Sequence, residues 1–318
     1  MENRPKIALY WCAGCGGCEE SVIDLAEELL AVAEKAEIVF WPVALDARYR
    51  DVAAMADAEI DVTFINGAIR LDDHVRMVRL LRRKSKRLIA HGSCAHMGGV
   101  IGLANRFTAR QLLECAYRQA PSMADSSGAL PGGAEVEPPL PELLPSVRAL
   151  DQVVKVDAII PGCPPPPATM ARVIDAAIHG RLPAEKTVFA HRKTLCHECP
   201  RLDSRPEKIE ITRFKRLHQT RWDPDVCFLP QGLICLGPVT RGGCESRCIG
   251  ANMPCRGCFG PTERVDDFGA AAVACIAAML GGADEAALAQ VVDSIADPAG
   301  LFYRYCLATS VLGRGRTP

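Results

Sequence analysis

Little in this sequence points toward nucleic acid, a membrane or the secretory route. Aromatic residues are 5% of the chain, too few for a surface on which bases would stack. Lys and Arg (37) balance Asp and Glu (38) to a formal net charge of −1, which leaves no basic field for a polyanion or an acidic lipid surface. No apolar run reaches the roughly 18 residues of a membrane-spanning helix. The longest, Ala270 to Leu280, directly follows the region of the acidic pair Asp266 and Asp267. The opening MENRPKIALYW has no basic start followed by an apolar core, and no twin arginine, so export is not expected and a cytoplasmic location is. A repeat of the solenoid kind is also missing.

What the chain does have is cysteine: 16 in 318 residues. A reducing compartment disfavours disulfides, so thiols this closely spaced suggest metal ligation. The length suits two domains at about 150 residues each, and the composition changes near Leu182. We therefore expect one domain over 1–182 and a second over 183–318.

The first half alternates strand-like and helix-like segments. Strands are expected at Lys6 to Trp11, Glu37 to Val43, Asp61 to Ile65 (closed by Asn66-Gly67), Arg87 to His91 and Val156 to Ile160. Helices are expected at Glu19 to Lys35, with Val22, Leu25, Leu29 and Val32 on one face, at Asp72 to Lys86, and at Ala168 to Gly180. This alternation predicts an α/β fold with a parallel sheet and helices on both faces. Pro121 to Pro145 is rich in Pro, Gly and Ser and reads as an irregular excursion. From Leu182 the alternation is lost, and eight cysteines fall between Cys196 and Cys258. That stretch has too little apolar periodicity for a core of its own, so metal cross-links are expected to organise it. Two helices, Val265 to Leu280 and Asp284 to Ile295, are expected to close the chain.

Cysteines recur just beyond expected strand ends: Cys12, Cys15 and Cys18 after the first, Cys94 after the fourth, Cys163 after the fifth. Open parallel sheets bind their ligands beyond the carboxyl ends of the strands, so these loops are expected to meet at one edge. Spacing suggests three sets of four. They are Cys15 and Cys18 with Cys94 and Cys163; Cys196 and Cys199 with Cys227 and Cys235; and Cys244, Cys248, Cys255 and Cys258. Four thiolates are what a [4Fe–4S] cubane takes, one per iron. Zinc also favours four cysteines in CxxC pairs, and for the third set alone the two readings stand level. The first set draws on three separate loops, which is unlike a zinc ribbon. The run Cys12-x2-Cys15-x2-Cys18 is similar to the start of a bacterial ferredoxin motif without its nearby Cys-Pro, and spacing alone does not say which two bind metal.

Taken in order, Cys15-Gly-Gly-Cys18-Glu-Glu-Ser, Gly92-Ser93-Cys94, Pro161-Gly162-Cys163-Pro164-Pro165, Cys196-x2-Cys199-Pro-Arg, Cys235-Leu-Gly-Pro-Val-Thr and Pro254-Cys255-x2-Cys258 carry a resemblance. The chain resembles the small, iron–sulfur subunit of a cytosolic [NiFe] hydrogenase, most closely the methyl-viologen-reducing, F420-non-reducing type associated with heterodisulfide reductase. The resemblance implies a flavodoxin-like domain with a proximal cluster on Cys15, Cys18, Cys94 and Cys163. An irregular, cluster-stabilised iron–sulfur domain with C-terminal helices would follow, with a distal cluster on Cys196, Cys199, Cys227 and Cys235. A medial cluster would take Cys244, Cys248, Cys255 and Cys258.

It further implies three [4Fe–4S] clusters, a hydrogenase-like large subunit with the catalytic centre, and a further iron–sulfur or heterodisulfide-reductase-like acceptor. The chain departs from periplasmic relatives where Cys196 takes a slot that is typically His, and where Cys248 stands for a Pro. All-thiolate ligation carries more negative charge and favours low potentials. Two other readings remain at this point: an electron relay whose large subunit lacks nickel, and a zinc-stabilised binding module.

Four cysteines fall outside the three sets. Cys115, Cys275 and Cys306 read as small core residues, and Cys12 as a buried thiol beside the first set or a group that tunes it. His91 and His96 flank Cys94 and either bond near it or face solvent. Glu19 and Glu20 suit the first turn of a helix, and Glu19 is a candidate for a proton path. Arg76 to Arg87 reads as a solvated face. Gly14-x-Gly16-Gly17 could be a phosphate turn, but cysteines crowd it and the dinucleotide fingerprint is not met.

Overall fold

The computed structural model describes residues 4–123, 130–131 and 140–314. It holds two compact units. One runs through Phe189 and takes up the chain again from Leu307; the other is Ala190–Cys306. The first unit thus extends past residue 182 and regains the C-terminal segment that the sequence assigned to the second domain. The physical reasons are an added edge strand at Thr187–Val188 and the burial of Leu307 and Ala308, the latter packed tightly on Gly98.

The first unit is built on a parallel sheet. Its strands are β1 (Lys6–Trp11), β2 (Glu37–Phe40), β3 (Ile60–Asn66), β5 (Ser85–His91), β7 (Ala158–Ile160) and β8 (Thr187–Val188), in the order β2-β1-β3-β5-β7-β8. This is the flavodoxin-like order, with the reversal of winding at β1 and β3. Alternate residues feed two cores: Ile7, Leu9, Val62 and Phe64 one, Ala8 and Ile65 the other. Strands buried on both faces read as continuous apolar runs for that reason. A second sheet pairs β4 (Ile69–Leu71) with β6 (Leu143–Arg148), antiparallel. Sequence reading missed it because β6 begins inside the Pro-rich excursion. Residues 124–129 and 132–139 of that excursion lie outside the described residues.

The helices of this unit are α1 (Gly17–Ile23), α2 (Glu27–Lys35), α3 (Tyr49–Ala54), α4 (Asp72–Lys84), α5 (Gly92–Met97), α6 (Ala109–Glu114) and α7 (Pro167–Ile178). The single helix expected at 19–35 is two, broken at Ala26 with φ 49°. Val22, Leu25, Leu29 and Val32 stay in one core across the break, so their spacing hides it. Strand β2 stops before Trp41-Pro42, since proline brings no ladder N–H. Helix α4 carries Asp72 and Asp73 in its first turn and Arg82, Arg83 and Lys84 in its last, matching its dipole. Its basic face is not wholly solvated: Arg82 Nη1 donates to Asp157 Oδ2 at 2.5 Å.

The second unit does have an apolar core, contrary to expectation. Leu195, Phe214, Phe228, Leu229, Leu233 and Leu236 pack with Ala272, Ile276 and Phe302. Many of these residues come from loops and single 3-10 turns, so no period marks them. Its helices are α8 (Arg247–Gly250), α9 (Phe268–Ala277), α10 (Glu285–Asp293) and α11 (Pro298–Phe302). Helices α9 and α10 start where Asp267 and Asp284 accept bonds from Ala270 N and Ala287 N, at 3.0 and 2.8 Å. Among the described residues no helix is long and apolar enough to cross a membrane.

Candidate metal centres

The sheet register aligns the strand ends. Trp11 pairs with Asn66, Asn66 with His91, and His91 with Ile160, so β1, β3, β5 and β7 finish on one row. The loops that follow leave side by side. Cys15 precedes α1, started by Gly16 at φ 87°, and Cys18 lies in its first turn. Cys94 lies in α5, directly after β5, and Cys163 follows β7. Ser93 ties two of these loops together: its backbone N and its hydroxyl both donate to Gly162 O, at 2.7 and 2.8 Å. Cys15, Cys18, Cys94 and Cys163 line one recess.

Their thiols sense one another. Burial pushes Cys18 far up, and Cys94, Cys163 and Cys15 raise it further. Burial raises Cys94 to about 12, with Cys163 and Cys15 adding to it. A metal that binds as thiolate must displace those protons, so its binding is strongly linked to pH. Glycine makes room for the sulfurs. A Cβ on Gly92 would stand 2.3 Å from Cys18 Sγ, and one on Gly99 2.3 Å from Cys94 Sγ.

Around this recess lie polar groups that are almost wholly buried. Glu19 accepts from Trp41 Nε1 and Asn66 Nδ2, both at 2.5 Å, whereas Glu20 is exposed. His91 is fully buried, and burial lowers it to about 3. Its Nε2 lies 3.2 Å from Ser21 Oγ, whose hydroxyl donates to Cys18 O at 2.8 Å. Among the described residues Nδ1 of His91 has no hydrogen-bond partner. Cys12 is buried, with its thiol pushed up chiefly by desolvation.

In the second unit, Cys196 lies in a 3-10 turn at Leu195–Glu198 and Cys199 directly follows it. Burial raises Cys196 to about 11; the Arg205 guanidinium, 4.0 Å from its Sγ, opposes this, while Cys199, Cys227 and Cys275 add to it. Burial raises Cys235 to about 12, against hydrogen bonds from the backbone of Gly237 and Cys255 and with further lift from Cys196 and Cys227. Gly237 leaves space between Cys196 and Cys235, since a Cβ there would lie 3.5 Å from either sulfur. Cys196, Cys199, Cys227 and Cys235 are therefore neighbours. The structure adds Cys275, half-buried on α9 beside them, which its Ala-rich helical context did not reveal. His197 is exposed, 3.3 Å from Thr194 Oγ1.

The third set appears as two pairs. Cys244, raised to about 11 by burial, senses Glu198 and Cys248; its Sγ lies 3.8 Å from Glu198 Oε1. Burial raises Cys255 well above its usual range, and Cys235 and then Cys258 add to this. Cys235 thus stands next to Cys255 as well as to Cys196. Of the leftover thiols, Cys306 is buried as expected, while Cys115, directly after α6, is exposed and not a core residue. Among the described residues no three His, Cys, Asp or Glu side chains close around a single-ion position. A cubane asks for a wider set, with each thiolate on its own iron.

Comparison with known proteins extends these observations. A family model described as "NADH ubiquinone oxidoreductase, 20 Kd subunit" matches residues 15–177. The iron–sulfur subunit of the F420-non-reducing hydrogenase of Archaeoglobus profundus is 36% identical over 97% of this chain and 98% of its own length. A subunit of the F420-non-reducing hydrogenase (vhu) of Methanocaldococcus jannaschii is 37% identical over 97% of both chains. Among solved structures, a chain of the H2-activated [NiFeSe]-hydrogenase from Dm. baculatum superposes with a TM-score of 0.52. It covers 82% of this chain and 96% of its own at 16% identity, a likeness of fold.

Proposed function

The chain belongs to the family of hydrogenase small subunits of the F420-non-reducing type, the electron-transferring, iron–sulfur component of an oxidoreductase that works with a large subunit, and from that premise we propose its finer assignment. Cys15, Cys18, Cys94 and Cys163 hold a proximal [4Fe–4S] cluster, Cys196, Cys199, Cys227 and Cys235 a distal one, and Cys244, Cys248, Cys255 and Cys258 a medial one. These clusters supply one-electron transfer between the hydrogenase-like large subunit, which carries the [NiFe] centre, and a further iron–sulfur or heterodisulfide-reductase-like subunit in the cytoplasm.

The protein's own residues position and tune. Gly92 and Gly99 leave the sulfurs of Cys18 and Cys94 room to turn inward. The bonds from Ser93 hold the loop of Cys94 against that of Cys163. Glu19, fixed by Trp41 and Asn66, keeps a carboxylate one residue from Cys18. Arg205 sets a positive charge beside Cys196 and Cys227.

One observation supports this reading most: the common row of strand ends, which gathers four cysteines from three distant loops in one recess. Cys163→Ala tests it. In the anaerobically purified complex, hydrogen-dependent dye reduction should be lost while the clusters of the second unit remain visible by EPR. A wild-type rate would overturn the assignment of Cys163.

A further inference from the structure

Glu198 lies in the turn between Cys196 and Cys199, yet its side chain reaches a different cysteine set of the same unit. Its Oε2 accepts from Gly243 N at 2.9 Å, and its Oε1 lies 3.8 Å from Cys244 Sγ. The backbone joins in, for Ser246 Oγ donates to Glu198 O at 3.0 Å. One residue thus ties the turn of Cys196 and Cys199 to the chain on both sides of Cys244.

The segment it holds is an unusual one. Glu245 and Ser246 have φ of 58° and 52°, a left-handed backbone that residues with a side chain adopt uncommonly. Two such residues in succession fold the chain back on Cys244, so that the backbone of Ser246 and of Arg247 hydrogen-bonds to its sulfur. Those N–H donors favour electron density on the sulfur, and the carboxylate on its other side opposes it.

That carboxylate has little to offset it. The Glu198 side chain is 17% exposed, and its ion-pair partner is the imidazole of His191, with Nδ1 3.0 Å from Oε2; among the described residues no Lys or Arg pairs with it. Where little water lies between charges, a carboxylate within 4 Å of a sulfur is weakly screened. Its field disfavours an added electron on any iron centre that the sulfur holds.

We propose that Glu198 is a positioning residue for the medial centre, its negative charge acting through Cys244 to hold that centre's midpoint potential down. The inference rests on the medial cluster assigned above to Cys244, Cys248, Cys255 and Cys258.

An EPR-monitored redox titration of the anaerobically purified complex tests it, the medial signal being the one that Cys248→Pro alters. Glu198→Gln removes the charge but keeps the shape and an oxygen that can accept from Gly243 N. Its medial midpoint should move upward, with the iron content of the wild type. Glu245→Gln removes an equal charge one residue from Cys244. That side chain is 72% exposed, with Arg247 Nη2 3.7 Å from its Oε2, so water screens it and the midpoint should stay at the wild-type value. An unchanged medial midpoint in Glu198→Gln would overturn the proposal, and so would an equal rise in Glu245→Gln. Loss of the medial signal or of iron from Glu198→Gln would overturn it too, because Glu198 would then support the loop and not set the charge. A wild-type complex with no signal that Cys248→Pro alters would overturn the medial cluster itself, and the proposal with it.

Discussion

Gly92 and Cys18 stand so close that a single methyl group on the glycine would lie 2.3 Å from the thiol sulfur. Gly92 also has a φ of 86°, which other residues reach only at a cost of about 1–2 kcal/mol. Gly92→Ala should therefore push Cys18 out of place and lower the iron content of the purified complex by about four atoms for each copy of this chain, one cubane. Gly180→Ala is the control. Gly180 has a φ of 64° but nothing within 4 Å of its Cβ position, so it should lose only stability and keep its iron. Equal iron in wild type and Gly92→Ala would show that the sulfur of Cys18 is not held by metal.

His91 should make the first unit acid-sensitive. Its folded value, lowered to about 3 by burial, lies below the ~6.5 of an unfolded histidine. Below pH 6.5 the unfolded chain takes up a proton that the folded chain refuses. The stability contributed by neutral His91 is thus complete above about 6.5, and is lost as pH falls, by up to about 1.36 kcal/mol per unit. In His91→Phe the denaturation midpoint should change less between pH 7.5 and 5.5 than in the wild type. Parallel curves would place the acid sensitivity elsewhere.

In the proposed assignment Cys248 completes the medial set. Cys248→Pro should convert that centre toward [3Fe–4S] and move its midpoint upward in an EPR-monitored redox titration. A spectrum and midpoint identical to wild type would remove Cys248 from the ligands.

Asp267 accepts from Ala270 N at 3.0 Å and starts α9, the helix that carries Cys275. Asp267→Ala should cost about 1 kcal/mol in urea denaturation. A loss below a few tenths would mean that α9 is held by packing of Phe268, Ala272 and Ile276 alone.

The strands beneath the first cysteine set were legible because each is a short apolar run followed by a loop with Gly and Cys. The break at Ala26 was not, because the apolar face continues through it. The core of the second unit escaped for a related reason. Phe228, Leu229, Leu233 and Leu236 are buried by irregular backbone, and periodicity registers only regular elements. The partners of Glu19 were equally hidden, since Trp41 and Asn66 reach it from 22 and 47 residues away. Cys275 gave no sign at all in sequence, and only the packing of α9 brings it to Cys196.

The metal content of the anaerobically purified complex tests the central claim most directly. Three cubanes require about twelve iron atoms and about twelve acid-labile sulfides for each copy of this chain. Stoichiometric zinc with little iron or sulfide would contradict it.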